Sequence, residues 1–110
     1  MATLAELTDR VEQVSDIYAR RCDIRRDADW YALKLQEEAG ELVAEYLRGT
    51  GRGRVGDRDE LSIRQALEDE AADLMAQLLL FCRANGIDLE AALQRKWFRY
   101  LDAPTWTLAP

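Results

Sequence analysis

The sequence contains no histidine. That absence excludes imidazole triads, His-ligated zinc and imidazole general bases together. Cysteine is almost as scarce. Cys22 and Cys82 stand far apart with no CxxC pair, which fits neither a zinc site nor a disulfide framework. Two isolated thiols read as reduced, and a cytoplasmic location is expected. No apolar run approaches the roughly 20 residues that a membrane span needs. Met1 to Arg10 already carries Glu6 and Asp9, where a signal peptide would be apolar. There are only two prolines, and four of the six glycines crowd between Gly49 and Gly56. Positive charge is also short: 15 basic residues face 21 acidic ones, a net charge of -6. A nucleic-acid polymer is therefore not expected as a partner. A nucleotide is still compatible, because a metal ion can supply positive charge locally.

The composition favours helix. Hydrophobic residues make up 48% and charged residues 33%, with much Ala, Leu, Glu and Arg. Apolar positions at helical spacing predict a first helix from about Thr3 to Arg21, through Leu4, Leu7, Val11, Val14 and Ile17 or Tyr18. A second is expected from about Trp30 to Arg48, with Asp27 or Asp29 as N-cap and Leu35, Ala39, Leu42, Val43 and Tyr46 inward. Gly49 to Asp59 reads as a flexible loop. A third helix should begin between Asp59 and Ser62 and end at Asn85-Gly86, with Leu67, Ala71, Leu74, Leu78 and Phe81 inward. A fourth, capped by Asp88, should run from Leu89 to about Leu101. No strand pattern or internal repeat is present. The expected fold is all-α: one four-helix domain over 1–101 with a tail over 102–110. So small a core is marginal alone. Trp97, Phe98, Tyr100 and Leu101 spread apolar surface round helix four, so a homodimer or homotetramer is expected.

Two carboxylate pairs stand out. Helix two reads Glu37-Glu38-Ala39-Gly40-Glu41, and helix three reads Glu70-Ala71-Ala72-Asp73. In each, two acids at i and i+3 share a face. The residues between them are small, which suggests a close helix approach. Gly40 inside a helix costs about 1 kcal/mol relative to Ala and implies a packing or ligand reason. Four acids gathered without a partner would repel. Either some are protonated, or a cation sits among Glu38, Glu41, Glu70 and Asp73. All-oxygen ligation selects Mg²⁺, with Mn²⁺ as a substitute. A solvated acidic face is the competing reading.

Lys34-Leu35-Gln36-Glu37-Glu38-Ala39-Gly40-Glu41-Leu42 resembles the KLxEExxEL segment of MazG-like pyrophosphohydrolases. Glu70-Ala71-Ala72-Asp73-Leu74 is similar to their ExxDL segment. Asn85-Gly86-Ile87-Asp88-Leu89-Glu90 resembles the turn before the family's last helix, and Lys96 stands where that helix carries a lysine. The resemblance covers about Trp30 to Leu101. It implies a four-helix bundle of the MazG type and Mg²⁺-dependent hydrolysis of a nucleoside triphosphate, NTP or dNTP, to monophosphate and pyrophosphate; the purpose of that reaction would be nucleotide-pool house-cleaning or control of a dNTP pool. It also implies obligate oligomers. Two departures bear on the substrate. The asparagine common after the last-helix lysine is replaced by Trp97, Phe98, Arg99 and Tyr100. The histidine of related phosphoribosyl-ATP pyrophosphohydrolases is missing from Leu74-Met75-Ala76-Gln77-Leu78, so that activity is the alternative. A non-catalytic helical dimerisation module is the other.

On this reading Glu38, Glu41, Glu70 and Asp73 hold the metal. Glu37, about 100° round the helix from Glu38, accepts a proton from water or binds a further ion. Lys34 and Lys96 act on phosphate, and Lys34 can instead pair with Glu38. Trp30 stacks on the base or packs in the core. Arg52, Arg54 and Arg58 either close over pyrophosphate or remain solvated.

Overall fold

Helix starts are set by side-chain oxygens that satisfy the orphan N–H groups of each first turn. Thr3 accepts from the Glu6 N–H while Glu6 reaches back to the Thr3 N–H, a reciprocal capping box. Asp27 accepts from the Trp30 N–H at 2.8 Å, Asp59 from Ser62 at 2.8 Å and Asp88 from Ala91 at 3.0 Å. The computed structural model describes residues 1–102, so the expected tail, apart from Asp102, lies outside the described residues. Within them the order is α1 (Leu4–Cys22), α2 (Ala28–Gly49), α3 (Glu60–Ala84), α4 (Leu89–Lys96) and a 3₁₀ turn (Phe98–Leu101). There is no strand among the described residues.

Helix ends follow the same accounting. Thr50 Oγ1 donates to the Tyr46 and Leu47 carbonyls at the end of α2. At the end of α3, Gly86 at φ 65° lets the chain reverse so that the Ile87 N–H reaches the Cys82 carbonyl at 2.8 Å.

The expected fourth helix does not run unbroken to Leu101. It stops at Lys96, and Phe98–Leu101 tightens into a 3₁₀ turn. Successive bulky side chains lose rotamer freedom against an α-helical turn, and terminal turns commonly relax this way. Arg99 stacks on the neighbouring Tyr100 ring at 4.9 Å.

Packing centres on α2 against α3, and α1 lies along α3. The core is small: Ala19, Leu79, Leu80 and Cys82 are its buried apolar members. Several expected core positions face outward instead. Val43 and Tyr46 are 55% and 52% exposed, and Leu78 and Ala71 are also exposed. The reason is rotational. The side of α2 turned to α3 is centred on Glu38 and Glu45, and Val43 stands about 140° from Glu38. Val14, Ile17 and Tyr18 of α1 are exposed too, because α1 has its main packing on α3 alone. No described helix is long and apolar enough to cross a membrane.

Leu80 is 4% exposed, so Leu80→Ala should cost about 2–5 kcal/mol in urea denaturation. A loss under about 0.5 kcal/mol, typical of surface sites, would contradict this core.

Candidate metal centre between α2 and α3

Three carboxylates meet where the two long helices touch. Glu38, Glu41 and Glu70 each offer an oxygen, and these oxygens lie within 4.8 Å of one another. Helical spacing explains the α2 half, since residues three apart share a face. The hairpin supplies the α3 half. A Cβ placed on Gly49 would lie 3.7 Å from Ile63, which marks where the helices come together beside the loop. Two turns along, Glu41 meets Glu70.

Burial and like charge act together on Glu38 and Glu70, whereas Glu41 is exposed. Glu38 is only 7% exposed. Burial pushes its carboxyl above the usual range, and the Glu41 and Asp73 charges push it further. Glu70 rises to about 7 from the same causes, burial first and then the charges of Glu41 and Asp73. When all are ionised, Glu38 Oε2 and Glu70 Oε2 are buried acceptors with no donor. Only a shared proton with Glu41, or a cation, relieves them.

Asp73 contributes charge to this centre but stands outside the tight trio, with its side chain exposed. Lys34 lies one turn before Glu38. Its Nζ is 3.2 Å from Glu37 and 3.8 Å from Glu38. Burial works against its charge, but those two carboxylates outweigh it and raise its pKa. Glu37 is exposed, stands outside the tight trio and is bound to Lys34. Trp30 is half-buried, edge-to-face with Tyr31 at 5.1 Å, and carries Lys34 Nζ 5.9 Å from its ring centre. Lys96 is exposed in the last turn of α4, and no ion pair ties it to these acids among the described residues.

The small residues between the acids have another place than expected. Gly40 is exposed, and a Cβ there would meet nothing within 4 Å. Ala71 and Ala72 are exposed as well. Ala39 stays half-buried, but Gly40, Ala71 and Ala72 turn away from the acids and do not mediate the approach.

Two residues join the site that the acidic motif did not single out. Glu45, one turn after Glu41, is 8% exposed and holds Arg48 at 2.6 Å and Arg58 at 3.4 Å. Arg58 is thus anchored, not simply solvated. Arg52 lies over the Tyr46 ring at 5.6 Å, and Arg48 Nε donates to the Arg54 carbonyl at 3.0 Å. Gln77, one turn after Asp73, has a buried Oε1 without a hydrogen-bond partner. The i+4 spacing from Glu41 and from Asp73 was the available signal for both.

Comparisons with protein-family models, with curated proteins and with solved structures give no match to this chain.

A carboxyl raised in the folded state stabilises the fold below its unfolded pKa and loses that contribution as pH rises through the folded value. For Glu70 that window runs from 4.5 to about 7. The metal-free protein should therefore melt at a lower temperature at pH 7.5 than at pH 5, and Glu70→Gln should flatten the difference. An unchanged pH profile in Glu70→Gln would show that Glu70 is not the strained acid.

Proposed function

We propose that this protein is a divalent-cation-dependent hydrolase that splits nucleoside triphosphates into monophosphate and pyrophosphate. One observation carries the reading: Glu38, Glu41 and Glu70 converge with two buried oxygens that no protein donor satisfies. An all-oxygen set of acids suits a hard cation such as Mg²⁺ or Mn²⁺. The resemblance of Lys34–Leu42 and Glu70–Leu74 to MazG-like pyrophosphohydrolases names the reaction.

Glu38, Glu41 and Glu70 would hold the ion, with Asp73 beside them. Such an ion neutralises triphosphate charge and makes a bound water more acidic. The protein's own groups do the rest. Glu37 steadies Lys34 through one oxygen and leaves the other open to take a proton from water. Lys34, charged and held between Glu37 and Glu38, is placed to bind a phosphate oxygen. Trp30 offers an aromatic surface at the same end of α2.

A second copy of the chain belongs to this reading. Val14, Ile17, Tyr18, Leu33, Val43 and Met75 are all exposed large apolar residues. Covering them in a symmetric dimer or tetramer removes that surface from water. A plain dimerisation module would account for these faces but not for the gathered acids. Lys96, which pairs with none of these acids within one chain among the described residues, is assigned to phosphate only within such an assembly.

Sedimentation should give a mass that is a multiple of 12.6 kDa, and a monomer at micromolar concentration would remove the assembly. A panel of NTPs and dNTPs with Mg²⁺ or Mn²⁺ should release pyrophosphate. Glu38→Gln and Asp73→Asn should each lose about 100-fold or more in rate, beyond what loss of an outer partner of a metal ligand costs. Mg²⁺ should also raise the melting temperature of the wild type. Near-normal turnover in Glu38→Gln, or no cation effect on melting, would discard the metal centre.

A further inference from the structure

The gathered acids push α2 and α3 apart. Glu38 and Glu41 belong to one helix, Glu70 and Asp73 to the other, so the charges that meet across the boundary are alike. An opposing attraction has to come from elsewhere. Among the described residues, one ion pair joins α2 to the segment that leads into α3, and it is Arg58 with Glu45. Arg58 Nη1 lies 3.5 Å from one Glu45 oxygen and 3.4 Å from the other. The next residue, Asp59, is the N-cap of α3. Glu70 stands about 16 Å further along that unbroken helix. Freedom at Asp59 therefore becomes freedom at Glu70.

Glu45 is one turn from Glu41 and about 20° round α2 from Glu38, so it points at α3 as Glu38 does. It is buried, and a buried carboxylate needs paired charge. Two arginines meet it in different ways. Arg48, three residues on along the same helix, neutralises Glu45 at 2.6 Å without crossing to the start of α3. Arg58 comes from the far side of the loop, and its Nε is braced on the Val55 carbonyl at 3.4 Å. Only Arg58 closes the hairpin at the rung next to the acids.

We propose that Arg58 is a positioning residue for the cation site. By binding Glu45 it holds the start of α3 against α2, and so sets Glu70 where it can share one ion with Glu38 and Glu41. Mg²⁺ demands near-ideal octahedral geometry, so a looser helix pair holds it less well. This rests on the metal-centre reading above.

Simple charge and positioning predict opposite signs. Removing an arginine makes the region more negative, which by itself attracts a cation more strongly. Loss of the clamp weakens the ion instead. The test is calorimetric titration of the full chain with Mg²⁺ alone, for wild type, Arg58→Met, Arg48→Met and Arg83→Met. Arg83 is the matched control: its side chain is 36% exposed, as is that of Arg58, and it ties α3 to Asp9 of α1. Arg58→Met should bind Mg²⁺ roughly tenfold more weakly, the lower end of what losing an outer partner of a metal site costs. Arg48→Met should bind at least as tightly as wild type, and Arg83→Met equally tightly. Arg58→Lys restores the charge and should recover most of the affinity. Equal or tighter binding by Arg58→Met overturns the inference, even while the wild type holds Mg²⁺. An equal loss in Arg83→Met overturns it by reducing Arg58 to general stability. An equal loss in Arg48→Met does so by reducing Arg58 to a counter-charge for Glu45. A wild type that takes up no Mg²⁺ removes the metal centre, and this inference with it. Should Arg58→Met melt too early to titrate, Arg58→Gln takes its place with the same expectations.

Discussion

The constraint on which the structure turns is the forced proximity of like charges across one helix pair. Apolar burial in this chain is modest, and the face that α2 presents to α3 is centred on acids where a Leu seam would be usual. Glu38 is among the most buried residues of the protein. Isolated carboxylates so placed weaken a fold, because desolvation and mutual repulsion both oppose their charge. The helix pair therefore keeps its acids at some cost in stability. That arrangement is characteristic of a site whose resting state is strained and whose bound state is not.

Neighbouring groups temper the strain unevenly. Lys34 offsets Glu38 from one side, yet Glu70 has no cation on its own helix to do the same, since Arg64 pairs with the exposed Glu68. Glu45 shows how the same helix handles a buried acid that is meant to be permanent: two arginines close on it. Side by side, one acid is fully paired and the next rungs are not. Burial alone does not distinguish them; the presence or absence of an arginine does.

Much of this was legible from the residues. Asp88 declared its helix, and Asp27 or Asp29 the second, because a capping carboxylate acts locally, through a bond to an N–H three residues on; the structure settles on Asp27 and adds Asp59, at the edge of the expected start of the third. The pairing of Glu38 and Glu41 with Glu70 was legible because two i, i+3 pairs on consecutive helices can face each other across a hairpin. What failed was rotation and exposure. Val43 and Tyr46 look inward on a pattern that assumes an apolar seam, but an acid-centred seam turns them out. Gly40 invites a close-approach reading that ignores its angular position behind the acids. The break of α4 at Trp97 leaves no mark in the apolar periodicity, which runs on to Leu101. Arg58 finding Glu45 is a contact across a loop, beyond any local rule.

The loop itself has a consequence for how this molecule can vary. The rungs that align the acids all lie on the helical side of Gly49 and Ile63, and the chain between them turns through Gly51 and Gly56 at positive φ. Closing a longer connection costs little, about 0.6 kcal/mol for each doubling of its length. Provided Arg58 still returns to Glu45 and the Arg54 carbonyl still receives Arg48, the length of the connection over residues 50–57 bears little on the centre. A reporter grafted between Gly51 and Gly53 should therefore leave the carboxylates aimed as they are.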